Sequence, residues 1–350
     1  MHSNKILIFI GTIKKVPNCG ESMKNHLFIK RFREVFDKVI TVDVYRPMKH
    51  PFNIVKVFFI LLFHRHDKVV LSVSPATANK FLKLMTMLKC DNVFYWAVGI
   101  SLVNYFKNER FKVTPYKRMK AIYVQSPHMV ESLKAVGLTN VQFVPNSKPI
   151  PFFPELKKKN NSLTRFVFIS RMDPTKGCEM ILQCADRLYS EGYRDKFTVH
   201  FYGMIADNKK QWFEMFSKQL EASPICSYNG FLTMNNEGYE TLSTYDVMLF
   251  PTFYNGEAFP GVFIDCFIAG VPIVASDWHF NKDIIDENTS IIIPAKDDEA
   301  LYHTMKDIID GKIDLQAMAR SCQNEARKYD NQVVLSDANL KRIGFIDNNA

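Results

Sequence analysis

Gly256-Glu257-Ala258-Phe259-Pro260-Gly261-Val262-Phe263-Ile264-Asp265-Cys266-Phe267-Ile268-Ala269-Gly270-Val271-Pro272-Ile273-Val274-Ala275-Ser276 sets one acid in a loop and a second inside an expected helix. Pro260 suits the first helical position, because its fixed φ fits a helix and the N–H it lacks would have had no partner there. Glu257 then lies just before the helix and Asp265 within it, on a face shared with Gly261 and Val262. The first turn offers unpaired backbone N–H groups, and a glycine at 261 lets an oxygen come close to them. A phosphorylated ligand with a hydroxyl-bearing part beyond each end fits this pattern, since carboxylates accept hydrogen bonds from paired sugar hydroxyls. The plainer reading of the same residues is a helix cap at Glu257 and a solvated acid at Asp265.

Upstream, Phe166-Val167-Phe168-Ile169 reads as a buried strand, and Gly177 to Tyr189 as a helix with Ile181, Leu182, Ala185 and Leu188 on one side. The turn between them is Ser170-Arg171-Met172-Asp173-Pro174-Thr175-Lys176-Gly177. Arg171, with a planar fork, and Lys176, a point charge, make a diphosphate clamp at the carboxyl end of a strand, the edge where open α/β sheets take ligands. Taken singly they are also readable as two solvated loop cations.

Together the two segments resemble the retaining glycosyltransferases of family 4. The resemblance implies an α/β protein of the GT-B fold, two facing Rossmann-like domains with the donor site in the inter-domain cleft. It implies that Arg171 and Lys176 hold the donor diphosphate, Glu257 the donor sugar and Asp265 the ribose. Phe259, Pro260, Gly261 and Val262 would offer backbone groups to sugar hydroxyls and phosphate. The tract from Pro251 to Ile285, with Ser276-Asp277-Trp278 and Asn281, looks like the capsule and O-antigen transferases of that family. This chain departs from the family in one place: its second acid is Asp265 rather than Glu.

At 350 residues the chain exceeds the usual single core, so two domains are expected, and 47% hydrophobic residues suffice for two cores. There is no Gly/Ser-rich tract, acidic tail or repeat. Seven Cys, an odd number without a Cys-x-x-Cys pair, speak against a disulfide framework or a zinc ribbon and for a reduced, cytoplasmic chain. Lys5 to Phe9 reads as a first strand rather than a signal peptide, since Gly11-Thr12-Ile13-Lys14-Lys15 interrupts the apolar run. Ile54 to Phe63 contains Lys56 and falls far short of the ~20 residues that span a bilayer.

Strands are expected at Lys5 to Phe9, Val39 to Val44, Lys68 to Val73, Asn92 to Trp96, Ala121 to Val124 and Val141 to Val144. A second set is expected at Phe166 to Ile169, Thr198 to Tyr202, Val247 to Phe250 and Pro272 to Ala275. Helices are expected around Gln211 to Leu220, Glu299 to Ile309 and Gln316 to Lys328. Pro145 to Pro151 and Lys157-Lys158-Lys159-Asn160-Asn161 break this alternation. These breaks put a linker at 150–164, and the resemblance implies that 1–149 takes the acceptor, that 165–325 takes the nucleotide sugar, and that 326–350 returns to the first domain.

The formal charge of +9 favours anionic partners. Glu21 to Lys38 reads either as an amphipathic helix docking on acidic lipid or as a surface helix whose apolar side meets the sheet, and Ile54 to Phe63 poses the same choice. The stretch from Gly11 to Gly20 is either a lip over the donor diphosphate, with Gly20 giving backbone access, or a plain loop. Tyr95 and Trp96, ending a strand before Ala97-Val98-Gly99, stack on a sugar or fill the core. No His stands in a context that assigns it a catalytic part.

No Gly-x-Gly-x-x-Gly follows the first strand and no Gly-x-x-x-x-Gly-Lys occurs, which speaks against a nicotinamide dehydrogenase and a nucleotide triphosphatase. No Asp-x-Asp pair ends a strand, so no metal is expected. The expectation is a metal-independent, retaining hexosyltransferase with no cofactor, taking a UDP- or GDP-sugar as donor. Its acceptor would be a polyprenyl-diphosphate-linked or other glycan of bacterial-type surface polysaccharide synthesis. It would work in the cytoplasm, peripheral on the inner face of the cell membrane where that surface is anionic, and without nucleic acid. A sugar-nucleotide epimerase of the same fold and a basic nucleic-acid binder are the rivals.

Overall fold

The computed structural model describes residues 5–13, 20–44, 51–97, 99–156 and 163–347. The chain divides into two compact units, one of residues 1–147 with 331–350 and one of residues 148–330.

The first unit opens with β1 (Ile6–Gly11), α1 (Gly20–Val35), β2 (Lys38–Asp43), α2 (Pro51–Phe63), β3 (Lys68–Ser72) and α3 (Pro75–Met87). β4 (Val93–Trp96), α4 (Ser101–Lys107), α5 (Thr114–Lys117), β5 (Ala121–Val124), α6 (Pro127–Ala135) and β6 (Val141–Phe143) follow. The strands form one parallel sheet in the order β2-β1-β3-β4-β5-β6. Parallel strands covered by helices on both faces must be apolar throughout, and Leu7, Ile8, Phe9 and Ile10 are wholly buried.

Phe28, Ile29 and Phe32 of α1, and Phe36 just after it, lie in the core with this sheet, with Phe28 4.7 Å from the Trp96 ring. Of the two readings of α1, the surface helix with its apolar side on the sheet is the one observed. Tyr95 and Trp96 are also core residues, at most 1% exposed. The Tyr95 hydroxyl donates to the Val73 carbonyl at 3.2 Å, and Trp96 packs 4.4 Å from Tyr123. Neither ring is open to a sugar, which corrects the stacking reading. α2 behaves differently: Val57 and Leu61 are buried while Val55, Phe59, Leu62 and Phe63 are exposed.

The second unit contains β7 (Thr164–Ile169), α7 (Cys178–Ser190), β8 (Phe197–Tyr202), α8 (Lys210–Ala222), β9 (Cys226–Tyr228) and α9 (Asn236–Ser243). After these come β10 (Val247–Phe250), α10 (Gly261–Ala269), β11 (Ile273–Asp277), β12 (Ser290–Pro294), α11 (Asp298–Ile309) and α12 (Leu315–Ala326). This sheet is also parallel, ordered β12-β11-β10-β7-β8-β9. Six strands stand where the sequence reading gives four. The two extra strands are the edges: β9 has three residues, and β12 ends in Pro294, which an edge strand tolerates.

Pro260 is not the first helical residue. It is extended (φ −62°, ψ 115°) and precedes the helix, which starts at Gly261; its fixed φ serves either conformation. Residues 157–162, including the Lys157-Lys158-Lys159 run, lie outside the described residues. α13 (Asn331–Val334) and α14 (Asp337–Arg342) belong to the first unit. There Phe345 packs 4.8 Å from Phe32 and 5.1 Å from Trp96, the Tyr123 hydroxyl donates to the Ile343 carbonyl, and Arg31 pairs with Asp337. Among the described residues no helix is long and apolar enough to cross a membrane.

Candidate active site

The second sheet reverses direction between β7 and β10. From β7 the chain moves through β8 to β9 on one side, and from β10 through β11 to β12 on the other. Loops that leave the carboxyl ends of two such strands diverge and open a crevice, the usual ligand position in open α/β sheets. Residues 170–177 leave β7 and residues 251–260 leave β10, so both segments singled out in the sequence border this crevice.

Backbone contacts lock the two loops together. The Phe253 N–H donates to the Thr175 carbonyl at 2.8 Å. Gly177 is left-handed (φ 82°), and a Cβ there would stand 2.5 Å from the Pro251 carbonyl oxygen; only glycine accepts both the conformation and the approach. Asp173 caps the turn Pro174–Lys176 by accepting from the Thr175 N–H at 3.0 Å and the Thr175 hydroxyl at 2.6 Å. Burial works to raise the Asp173 pKa, but these hydrogen bonds, with the charges of Lys209 and Arg171, hold it below the ordinary value.

This docking carries Lys176 to Glu257. The Lys176 ammonium pairs with the Glu257 carboxylate, and the two side chains are only 6% and 12% exposed. The ammonium also lies 4.6 Å from the Tyr254 ring centroid and 5.4 Å from that of Phe250. The exposed Arg171 guanidinium stands 5.3 Å from the same Tyr254 ring, so two cations flank one aromatic ring. The structure thus gathers Arg171, Lys176 and Glu257 around Tyr254, a residue to which the sequence reading gave no part. Its signal was available: an aromatic three residues before Glu257, in a loop leaving a carboxyl strand end.

The floor of the loop is a chain of hydrogen bonds. The Tyr254 carbonyl accepts from the Glu257 N–H at 3.1 Å and the Trp278 Nε1–H at 2.9 Å. The Ser276 hydroxyl donates to the Thr252 carbonyl at 2.5 Å, and the Asn281 amide to the Ser276 carbonyl at 2.9 Å. His279 sits in this neighbourhood with a left-handed backbone (φ 50°) and its ring 4.7 Å from Trp278. Burial lowers its pKa, against the opposing charge of Glu257.

Asp265 lies apart from that cluster. Phe263 to Ala269 of α10 are all buried, and Asp265 among them is 3% exposed. A buried carboxylate needs partners, and it has two: the Lys148 ammonium at Oδ2 and the Tyr239 hydroxyl, which donates to Oδ1 at 3.0 Å. Burial first, then the Asp265 charge, raises the Tyr239 pKa and keeps its proton. The solvated-acid reading of Asp265 therefore does not describe it.

The Phe259 side chain is buried against Tyr329, with ring centroids 5.3 Å apart. Gly261 and Val262, half-buried, head α10, where helical N–H groups have no intrahelical acceptor. Gly20 opens α1 in the first unit, and residues 14–19 before it lie outside the described residues. Among the described residues no group of three or more His, Cys, Asp or Glu side chains is placed to hold a metal ion.

The profile described as glycosyl transferases group 1 matches residues 151–329, over half of the chain and the whole crevice just described. The chain belongs to that family. No curated protein sequence matches the transferase. Solved structures do. Anabaena Alr3699/HepE in complex with UDP superposes with a TM-score of 0.71 at 12% identity, covering 98% of this chain and 100% of that one. The sucrose-phosphate synthase of Thermosynechococcus elongatus gives 0.71 at 12% identity over 97% and 99%. The lipopolysaccharide outer core galactosyltransferase WaaB, in apo form, gives 0.68 at 12% identity over 97% and 100%. At such identities the likeness shows the fold: the group 1 transferase has the GT-B fold, with two Rossmann-like units.

Proposed function

We propose that the chain is a retaining, metal-independent hexosyltransferase, moving a hexose from a UDP- or GDP-sugar to a polyprenyl-diphosphate-linked or other glycan acceptor in bacterial-type surface polysaccharide synthesis. The observation that carries this reading is the Lys176–Glu257 pair under Tyr254, beside Arg171, at the reversal point of the second sheet. Support for the donor class comes from HepE, whose crystals hold UDP. Support for the acceptor class comes from WaaB, an outer core galactosyltransferase of lipopolysaccharide.

In the proposed reaction the acceptor hydroxyl attacks the anomeric carbon from the side of the leaving group, through an oxocarbenium-like state. The bond from that carbon to the phosphate oxygen breaks, the bond to the acceptor oxygen forms, and the departing phosphate oxygen takes the hydroxyl proton. No protein nucleophile is needed. Charge builds on the diphosphate as the bond breaks, and Arg171 with Lys176 opposes it. Glu257 accepts hydrogen bonds from the sugar and, by sharing Lys176, fixes that cation between sugar and diphosphate. Backbone groups from Phe259 to Val262 bind sugar hydroxyls and phosphate, and Asp265, held by Lys148 and Tyr239, orients the ribose.

A thermal-shift panel of sugar nucleotides tests the reading. The right donor at a hundred times its dissociation constant should stabilise the chain by roughly 2.7 kcal/mol, and turnover with that donor should survive chelator. A panel without any shift, or turnover that chelator abolishes and Mg²⁺ restores, would contradict the donor class or the metal independence respectively.

A further inference from the structure

α2 carries more apolar surface than its own unit covers. Val55, Phe59, Leu62 and Phe63 are 52%, 52%, 42% and 78% exposed. Their spacing places them along one side of the helix, opposite the buried Val57 and Leu61. Single exposed apolar side chains are ordinary, but a contiguous ridge of four marks an interaction surface. α1, by contrast, leaves Met23 exposed but buries Phe28, Ile29 and Phe32, with Phe36 just beyond it also buried, so the ridge on α2 is not a general looseness of the unit.

Charge identifies the partner. From Val44 to His66 the sequence holds Arg46, Lys49, Lys56 and Arg65 and no acidic residue. The nearest acids in the chain following are engaged: Asp67 by His64 at 2.7 Å and Asp91 by His66 at 3.1 Å. The crossovers from β2 to β3 and from β3 to β4 run the same way across the sheet, so α2 and α3 share a face under the right-handed rule. The exposed residues of α3 include Lys80, Lys83 and Met87, which repeat the pairing of cations with an apolar group. A second copy of the chain meeting this ridge about a two-fold axis would bring like charges together. A lipid surface with anionic headgroups offers both an apolar layer and counter-charge. With 13 residues, α2 is too short to span the bilayer and long enough to lie in its interface.

We propose that α2 docks the transferase on an anionic lipid surface, with Phe59, Leu62 and Phe63 entering the headgroup–acyl boundary and Lys56, Arg65, Lys80 and Lys83 meeting phosphates. This deepens the proposed function, resting on its lipid-linked acceptor for purpose but not on the donor site for structure.

Co-flotation of the full chain with phosphatidylglycerol-containing vesicles, and with pure phosphatidylcholine vesicles, tests it. The parent should float with the anionic vesicles at low salt and be released as salt is raised. Phe59→Ser with Phe63→Ser should lower the bound fraction by about tenfold or more, as should Lys56→Glu with Arg65→Glu. All four positions are exposed, so circular dichroism and the UDP-induced thermal shift should match the parent. A parent that ignores the vesicles, or variants that float as the parent does, would overturn the docking surface even if UDP still shifts the melting. A parent dimer that becomes monomeric in the Phe59→Ser/Phe63→Ser variant would overturn it in favour of a contact between copies. Vesicle binding without any sugar-nucleotide shift would instead support the surface and count against the donor reading.

Discussion

Lys176 is nearly enclosed, with Glu257 on one side and the rings of Tyr254 and Phe250 on others. Removing one member of a buried pair leaves its partner's charge without compensation, which costs about 3–5 kcal/mol, whereas apolar replacement of both is often close to neutral. Lys176→Ala and Glu257→Ala should therefore each lower stability by about 3 kcal/mol. Lys176→Met combined with Glu257→Leu should recover most of that loss while turnover stays abolished. Urea unfolding beside an activity assay separates the two, and a double variant as unstable as either single would count against the pairing. Asp265 carries the same logic with a less enclosed partner, since the Lys148 side chain is 19% exposed. Asp265→Ala should weaken binding of bare nucleoside diphosphate by roughly 1–3 kcal/mol, and Asp265→Glu should keep most of the affinity. Unchanged binding by Asp265→Ala would reduce that acid to a structural anchor of α10.

At the scale of elements, the loops after β7 and β10 act as one piece because Gly177 lets Pro251 approach. Gly177→Ala forces a left-handed residue and a clash with a backbone oxygen, so it should cost at least about 1–3 kcal/mol. It should also depress turnover, by moving Lys176 from Glu257; a melting point equal to the parent's would show that the loops are not locked there. These loops were legible in the sequence because their signals are local: a buried strand, a cation-bearing turn, a proline ahead of a helix. Gly261 reads as a residue that lets an oxygen approach, whereas Gly177 reads only as the start of a helix, and the structure adds its left-handed turn and its close approach to Pro251. The tertiary links of the site were not legible. Nothing local ties Lys148 to Asp265 or Tyr239, far apart in sequence, and the Trp278 bond to the Tyr254 carbonyl depends on two strands being neighbours. The exposed ridge of α2 was hidden for a related reason: its apolar run reads alike whether a core or a lipid covers it.

For the whole molecule, Lys24 gives stability a pH dependence. Burial pushes its pKa down to about 8 from 10.5, against the raising charge of Glu21. Between those values the unfolded chain binds more protons than the folded one, so stability rises with pH through that window, and below it the cost of burying the charge is fully present. Relative to Lys24→Met, the parent should be less stable at pH 7 and should close the gap toward pH 10 in urea titrations; a pH-independent gap would show that Lys24 is not buried as a charge. The proposed chemistry lies at the reversal point of the second sheet, and Arg171 is the member of that site whose removal least disturbs the fold, being exposed. The most direct measurement is turnover by Arg171→Ala with the donor that the thermal-shift panel selects. If Arg171 opposes charge on the leaving diphosphate, turnover should fall by on the order of a hundredfold while circular dichroism and melting remain those of the parent. Turnover within about threefold of the parent in a folded variant would contradict the clamp, and with it the placement of the reaction in this crevice.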